Sequence, residues 1–513
     1  MPPKAKHSCS LKPAQAAPVL KTTYLSKRGY AFDKALENEA LCAELRKELT
    51  VKPIVNSMMP GADAVAEFPV YRESPSKFYV PRVYGLQRFG PPTVNSLPAG
   101  DHAPGLAFAG ELRPRQEAPV SAFMKAARDP SLMGGILELA CAEGKTVMSL
   151  FIACQFKVRT LVIAHKEFLG NQWHERIGQF VPAAKVGIIK QAKVVVDGMD
   201  IVLASLQSLA MRDYDEAIFK GFGLVIIDEC HHTGAEVFSR ALAKVNSRYM
   251  LGLSATVKRK DGLTRVFEWH IGKPVYTIRK RDDPDVTIVV SNFYDADPAY
   301  SGDRLMWNGK VNFAATITGI VTYDKRNAAI VDQMLALKRR EPGRRVLVLS
   351  ERRGHLDALK ALVEVHPCLG TMGYYVGGMK EAALKESESA DVLLATYAMA
   401  AEGMDVPGLD TLILASPVSA IEQPVGRILR QKPEDRKHVP VVVDVIDGFG
   451  MFMGQGKRRL AFYKKQGYKI VRAEAFNADA NVDEANNDDD TEMDDVEPKT
   501  AQRMFRETSE ENV

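Results

Sequence analysis

The sequence predicts an α/β protein with two parallel sheets in series, and three observations carry that expectation. From about Phe108 onward, short apolar runs alternate with stretches of helical periodicity: "TLVIAH", "DIVLAS", "GLVIID" and "YMLGLSAT". Strands that are apolar on both faces and separated by helices belong to a parallel sheet covered on both sides. The same rhythm resumes after about Asp285, with "RRVLVLS", "DVLLAT", "DTLILAS" and "VVVDVID". The chain, 513 residues long and 46% apolar, is also large enough to bury two or three cores. The expected division is an N-terminal accessory region and linker (1–105), a first lobe (106–285), a second lobe (286–476) and an acidic tail (477–513).

The accessory region reads less clearly. "FDKALENEALCAELRKEL" has helical spacing, with Phe32, Leu36, Leu41 and Leu45 on one side. "FPVYRESPSKFYVPRVYGL" after it reads as extended, and the proline- and glycine-rich "RFGPPTVNSLPAGDHAPG" as a loop. The net charge of +4 hides a segregation of sign. Eleven acidic residues and no basic one lie between Glu474 and Glu497, so residues 1–473 carry +15. Such a body favours a polyanionic partner, although simple solubility accounts for charge equally well. The tail is acidic, poor in large apolar residues and expected to be disordered.

No apolar run is long enough to cross a bilayer, and "MPPKAKHSCS" lacks the apolar core of a signal peptide. The six cysteines (9, 42, 141, 154, 230 and 368) contain no CxxC pair, which suits an intracellular, reducing compartment.

Two segments in the first lobe carry ionisable chemistry. "LELACAEGKTVMSL" places Gly144, Lys145 and Thr146 at the start of an apolar-periodic helix. In a P-loop, backbone N–H groups hold phosphate, the lysine reaches the β/γ oxygens and the threonine hydroxyl takes Mg²⁺. Leu139 stands where GxxxxGK[ST] has its first glycine, so an ordinary loop-to-helix junction reads almost as well. The second segment is "GLVIIDECHH", an apolar strand that stops at Asp228 and Glu229. Asp228 is expected to hold Mg²⁺ and Glu229 to polarise an attacking water, at the strand edge where open α/β sheets bind ligands. Cys230, His231 and His232 do not read as a metal site, because successive residues leaving a strand point to alternate sides.

In the second lobe "EQPVGRILRQ" spaces Gln423, Arg427 and Arg430 by four and three positions, one side of a helix. Arginines so aligned suit charge stabilisation on a transferring phosphoryl group, while a solvated basic face gives the same spacing.

Together "DECHH", "SAT", "AEGMDVP" and "QPVGRILR", in that order after GKT, resemble a superfamily 2 helicase of the DExH type. "LVIAHKEFLGNQW", "ASLQSLA", "SATVKRKDGL" and "KRRLAFYKKQGYKI" resemble the transcription-and-repair branch, nearest to helicases of large cytoplasmic DNA viruses of the poxvirus transcript-release type. The resemblance spans residues 108–472 and implies two tandem RecA-like lobes. It implies that Gln116, with Arg113 nearby, reads adenine, and that Lys145 and Thr146 bind phosphate and Mg²⁺. Asp228 and Glu229 match the metal and catalytic carboxylates. His231, Ser254 and Thr256 match coupling residues. Gly403 and Asp405 match the motif that senses nucleotide from the second lobe. Gln423, Arg427 and Arg430 match the face that closes on the γ-phosphate. Ala142 and Glu143 depart from the pattern.

The implied activity is ATP-dependent movement along nucleic acid, with ATP and Mg²⁺ as cofactors and DNA favoured over RNA. The expected track contacts are Lys166, Gln207, Ser208, Arg352 and Arg353. Transcription machinery is the implied partner, in the cytoplasm (viral factory or virion) for a viral protein and in the nucleus otherwise. Two other readings stay open: an RNA-directed remodeller, and a non-catalytic nucleic-acid-binding subunit with a vestigial pocket.

Overall fold

Parallel pairing dominates the two large sheets of the computed structural model. The structure describes residues 20–36, 39–54, 66–140, 143–230, 234–256, 259, 261–278, 285–402, 404, 406, 408–431 and 433–478. The acidic tail beyond Ala478 lies outside them.

The N-terminal strands are β1 (Thr23–Ser26), β2 (Gly29–Asp33), β3 (Thr50–Val51), β4 (Phe68–Pro69), β5 (Arg72–Glu73), β6 (Lys77–Val80) and β7 (Val94–Asn95). Five form a sheet in the order β5-β6-β2-β1-β7, and β3 pairs with β4. Two sequence expectations need correction here. The helix begins at Glu39, not near Phe32. Phe32 lies in β2, where its ring stacks on Phe78 at 5.5 Å. The supposedly extended stretch ends in a helix, Arg82–Phe89, with Pro81 at its N-cap. A proline's fixed φ suits a helix start as well as a strand, so the extended reading missed the turn.

This region does not stand apart from the first lobe. Arg82 is fully buried and donates to the carbonyl of Ser247 at 2.6 Å. Tyr84 meets Trp269 edge-on at 5.6 Å, and Val51, Phe68 and Val70 join the first lobe's core.

The first lobe contributes β8 (Gly134–Leu139), β9 (Thr160–Ala164), β10 (Val186–Lys190), β11 (Lys193–Val195), β12 (Ile201–Ser205), β13 (Leu224–Ile227), β14 (Tyr249–Ser254) and β15 (Pro274–Ile278). Their order is β11-β10-β12-β9-β13-β14-β8-β15, with only the β10–β11 pair antiparallel among them. The second lobe contributes β16 (Thr287–Phe293), β17 (Val346–Ser350), β18 (Met372–Tyr375), β19 (Val392–Thr396), β20 (Thr411–Leu414), β21 (Val441–Asp447) and β22 (Lys469–Arg472). These run in the order β18-β19-β17-β20-β21-β16-β22, parallel throughout. Helices cover both sheets, so the architecture is two RecA-like lobes in tandem.

Strand β21 is buried along its whole length yet carries two aspartates. Asp444 and Asp447 are three positions apart, so they face opposite sides of the sheet. Each fixes one helix: Asp444 pairs with Arg459 at 2.8 Å, and Asp447 with Arg326 at 2.6 Å. Asp447 also accepts from the Tyr300 hydroxyl at 2.8 Å. Arg326→Met should strip the cation from a carboxylate with no solvent access and cost about 3–5 kcal/mol. Chemical denaturation measures it. An unchanged midpoint would contradict this account of the second lobe, and adding Asp447→Leu should restore most of the loss.

Candidate active site

The conspicuous ionisable side chains of the first lobe leave one edge of its sheet. Lys145 follows β8, Asp228 and Glu229 follow β13, and Ser254 ends β14, which lies between those two strands. Two strand spacings, about 10 Å, separate the loops that carry Lys145 and Glu229. Their side chains close that gap: the Lys145 ammonium donates to Glu229 Oε1 at 2.5 Å. A residue pair 84 positions apart thus becomes one charge-balanced unit.

The phosphate loop is shaped by Gly144, the N-cap of the helix Lys145–Phe156, with φ +81°. A Cβ there would lie 2.2 Å from Gln116 Nε2. Only glycine meets both demands. Gln116 is 3% exposed, accepts from the Arg113 amide at 3.0 Å and donates to the Glu143 carbonyl at 3.0 Å. It therefore staples the helix Pro114–Arg128 to the phosphate loop, and adenine contact would require exchanging one of those bonds. Arg113 is the N-cap of that helix. The odd acidic neighbour is also explained, because the Glu143 carboxylate pairs with Arg115 at 3.3 Å. Thr146, in the first helical turn, is half-buried. Ala142 lies outside the described residues.

Asp228 is anchored rather than loose. One oxygen accepts from the indole N–H of buried Trp173 at 2.8 Å, and the other from the Glu229 amide at 3.0 Å. Burial, then the charge of Glu229, push its carboxyl up to about 6. Two carboxylates on so little water demand positive charge nearby. Glu229 itself has φ +43°, an unusual conformation for a non-glycine residue. This sharp exit from β13 turns its carboxylate toward Lys145. Burial, with Glu229 second, also pushes the Cys230 thiol up to about 12, so it remains protonated at neutral pH. Sequence reasoning missed Trp173 and Arg115. The signal for Trp173 was its place in an otherwise polar helical stretch, since a buried indole needs a partner for its N–H.

Ser254 is buried, and its hydroxyl donates to the Thr256 carbonyl at 2.6 Å while accepting from the Thr256 amide at 3.1 Å. That pair closes a small turn directly after β14. His231, Gly403 and Asp405 lie outside the described residues.

In the second lobe the helix carrying Gln423 spans only Glu422–Arg427. Arg430 therefore sits in the turn beyond it, which corrects the single helical face expected from spacing. The two arginines still converge. Arg427, 6% exposed, donates to the carbonyls of Ala400 at 2.5 Å and Met404 at 2.8 Å. Arg430 is half-buried and reaches the Met404 carbonyl at 3.4 Å. Gln423 is half-buried on the same short helix.

Of the expected track residues, Lys166 and Arg352 occupy equivalent places, each preceding the helix that follows a central strand (β9 and β17). Lys166 lines a groove of about 380 Å³ with Lys190, Lys193 and Ser205. Burial lowers the pKa of its ammonium. Gln207 and Arg353 are exposed. Ser208 needs correction as a track contact: it is 7% exposed, and its hydroxyl accepts from the Gln191 amide at 3.0 Å, bracing the turn between β10 and β11.

Between the lobes, the helices Glu167–Phe180 and Glu381–Ser387 touch through Asn171 and Glu381 at 3.2 Å, and Glu175 and Lys385 at 3.2 Å. These are exposed polar contacts of the kind that contribute little.

Comparison with known proteins decides the family. A protein of Acanthamoeba polyphaga mimivirus, provisionally named ATP-dependent RNA helicase L396, is 34% identical over 458 residues, 88% of this chain and 86% of that one. The chain belongs to the superfamily 2 helicases. Residues 109–259 match the family described as "Type III restriction enzyme, res subunit" (ResIII). The helicase is also 27% identical to the QP509L protein of African swine fever virus (isolate Tick/Malawi/Lil 20-1/1983), over 66% of this chain and 70% of that one. To the helicase D10 of Escherichia phage T5, so named as probable, it is 29% identical over 64% of this chain and 71% of that one. It is therefore an ATP-dependent helicase related to those of large DNA viruses. Among the described residues, no helix is long and apolar enough to cross a membrane.

Proposed function

We propose that this helicase is a DNA-directed motor whose ATPase site is split between the two lobes. One observation carries the reading: Lys145, Asp228 and Glu229 converge on one sheet edge, with Lys145 and Glu229 in contact at 2.5 Å. ATP entering this site would draw Lys145 to its phosphates, releasing Glu229 to orient and deprotonate water. Asp228 and Thr146 are the residues suited to hold Mg²⁺, which would neutralise phosphate charge; the buried, elevated Asp228 carboxyl fits a cation there. Arg113 and Gln116 would flank the base, while Ser254 and Thr256 would transmit the state of the site. Arg427 and Arg430, with Gln423, would complete it from the second lobe.

Transition-state charge then needs both lobes at once, so hydrolysis is fast only when they meet. A strand lying over Lys166, Gln207, Arg352 and Arg353 would favour the closed state and stimulate turnover. Resemblance to the transcription-and-repair branch supports DNA, with action in transcription in a cytoplasmic viral factory. The RNA-directed reading is supported by the names of the mimivirus and African swine fever virus relatives. Comparing ATPase stimulation by single-stranded DNA, duplex DNA and RNA separates them. DNA is expected to stimulate most at equal nucleotide concentration, and a clear preference for RNA would overturn that choice. Both should weaken steeply with salt, because the expected contacts are to the backbone.

A further inference from the structure

We propose that Trp307 is a stacking post that receives an unpaired base at the edge of the nucleic-acid track; this rests on the motor reading above. Trp307 is 98% exposed. An indole offers more apolar area than almost any other side chain, so leaving one bare forfeits burial that a structural role would claim.

The loop that carries it is closed, not loose. The Gly309 amide donates to the Met306 carbonyl at 2.9 Å, making a tight turn with Trp307 at its first corner, and Gly309 has φ +76°. Below the turn the Met306 amide donates to the Lys310 carbonyl at 2.7 Å, and Leu305 bridges to Val311. The base is tied again by the Asn312 amide on the Arg304 carbonyl at 2.6 Å, and by the Arg304 amide on the Thr316 hydroxyl at 3.0 Å. A hydrogen-bonded hairpin thus carries a flat aromatic face out into solvent, where a flat partner can reach it.

Its position and surroundings favour a nucleobase over a protein. The loop follows β16, so it rises from the C-terminal edge of the second sheet, the edge that also bears Arg352 after β17. In the order β17-β20-β21-β16 the strands that lead into the two loops are three spacings apart on one sheet. Exposed Lys310 lies in the same turn. The adjoining helix, Gly450–Gln466, packs Phe452 near Phe313 at 6.4 Å. An exposed aromatic beside a cation is the kind of surface that binds single strands without reading sequence. At a duplex junction the same stacking would hold a base that has left its partner.

Fluorescence provides a direct test. The other two tryptophans are Trp173, fully buried, and Trp269, half-buried against Tyr84 and Arg265, so Trp307 is the most solvent-exposed emitter and Trp307→Phe isolates its share. A saturating single-stranded oligonucleotide should quench the emission of the full-length protein, and the quench should vanish in Trp307→Phe. At saturating oligonucleotide Trp307→Ala should reach the wild-type ATPase rate, but it should need about tenfold more oligonucleotide to do so and separate duplexes about tenfold more slowly, the worth of one stacked base. Trp307→Phe should recover part of that rate. Unquenched emission, or strand separation by Trp307→Ala at the wild-type rate, would overturn the proposal while leaving the motor reading intact. A wild-type protein with no nucleic-acid-stimulated ATPase activity would overturn both.

Discussion

Glu229→Gln should lower nucleic-acid-stimulated ATP turnover by about 10²–10⁴-fold, the usual worth of a positioned general base. The substitution keeps the shape of the side chain and a hydrogen-bonding oxygen for Lys145, so the fold and ATP binding should persist. Its partner is informative in a different way. Lys145→Ala removes the ammonium that sits 2.5 Å from Glu229, leaving the Asp228–Glu229 pair with more unbalanced negative charge. Turnover should fall as far, and nucleotide affinity should fall with it, because the lysine is the phosphate ligand in this account. Steady-state hydrolysis with and without DNA, beside equilibrium binding of a labelled nucleotide, separates the two effects. Wild-type turnover in either variant would refute the assignment of this edge as the ATPase site.

The second large effect concerns the arginines, whose structural duties differ. Arg430 is half-buried and reaches the Met404 carbonyl at 3.4 Å, a longer contact than either that Arg427 makes. Arg430→Ala should reduce kcat by about 10³-fold or more, as loss of a phosphate-facing arginine does. Arg427 is buried and holds the carbonyls of Ala400 and Met404. Arg427→Ala should cost as much activity and also about 1–3 kcal/mol of stability, because the Ala400 carbonyl loses this donor and the Met404 carbonyl keeps only the longer bond from Arg430. Turnover of Arg430→Ala within a few-fold of wild type would remove it from the reaction. Unchanged stability in Arg427→Ala would mean that those carbonyls find other donors.

The long apolar strands were the most legible part of the chain. "GLVIID" and "VVVDVID" became β13 and β21 because short runs of three or four consecutive β-branched or leucine residues closed by an aspartate leave few alternatives. Where the apolar pattern was sparse, local period misled. Phe32 matched helical spacing with Leu41 and Leu45, but its partner was Phe78, 46 positions away. The carboxylates and lysine of the site were legible as types, since an ionisable pair at the end of an apolar strand has few structural excuses. How they are held was not. The Glu143–Arg115 and Asp228–Trp173 contacts join separate segments, and nothing in either segment alone announces them. The short helix Glu422–Arg427 shows the same limit, because three- and four-residue spacing cannot tell where a helix stops. Trp307 was invisible as a feature: only its exposure distinguishes it from a core tryptophan.

The most direct measurement is ATP turnover as a function of single-stranded DNA concentration at low salt, in wild type and in Arg430→Ala. The account predicts a saturable rise in the wild type, governed by the same DNA concentration that governs binding, and a flat, near-background line in the variant. Equal turnover with and without nucleic acid, at a rate that Arg430→Ala shares, would contradict a site completed only when the two lobes come together.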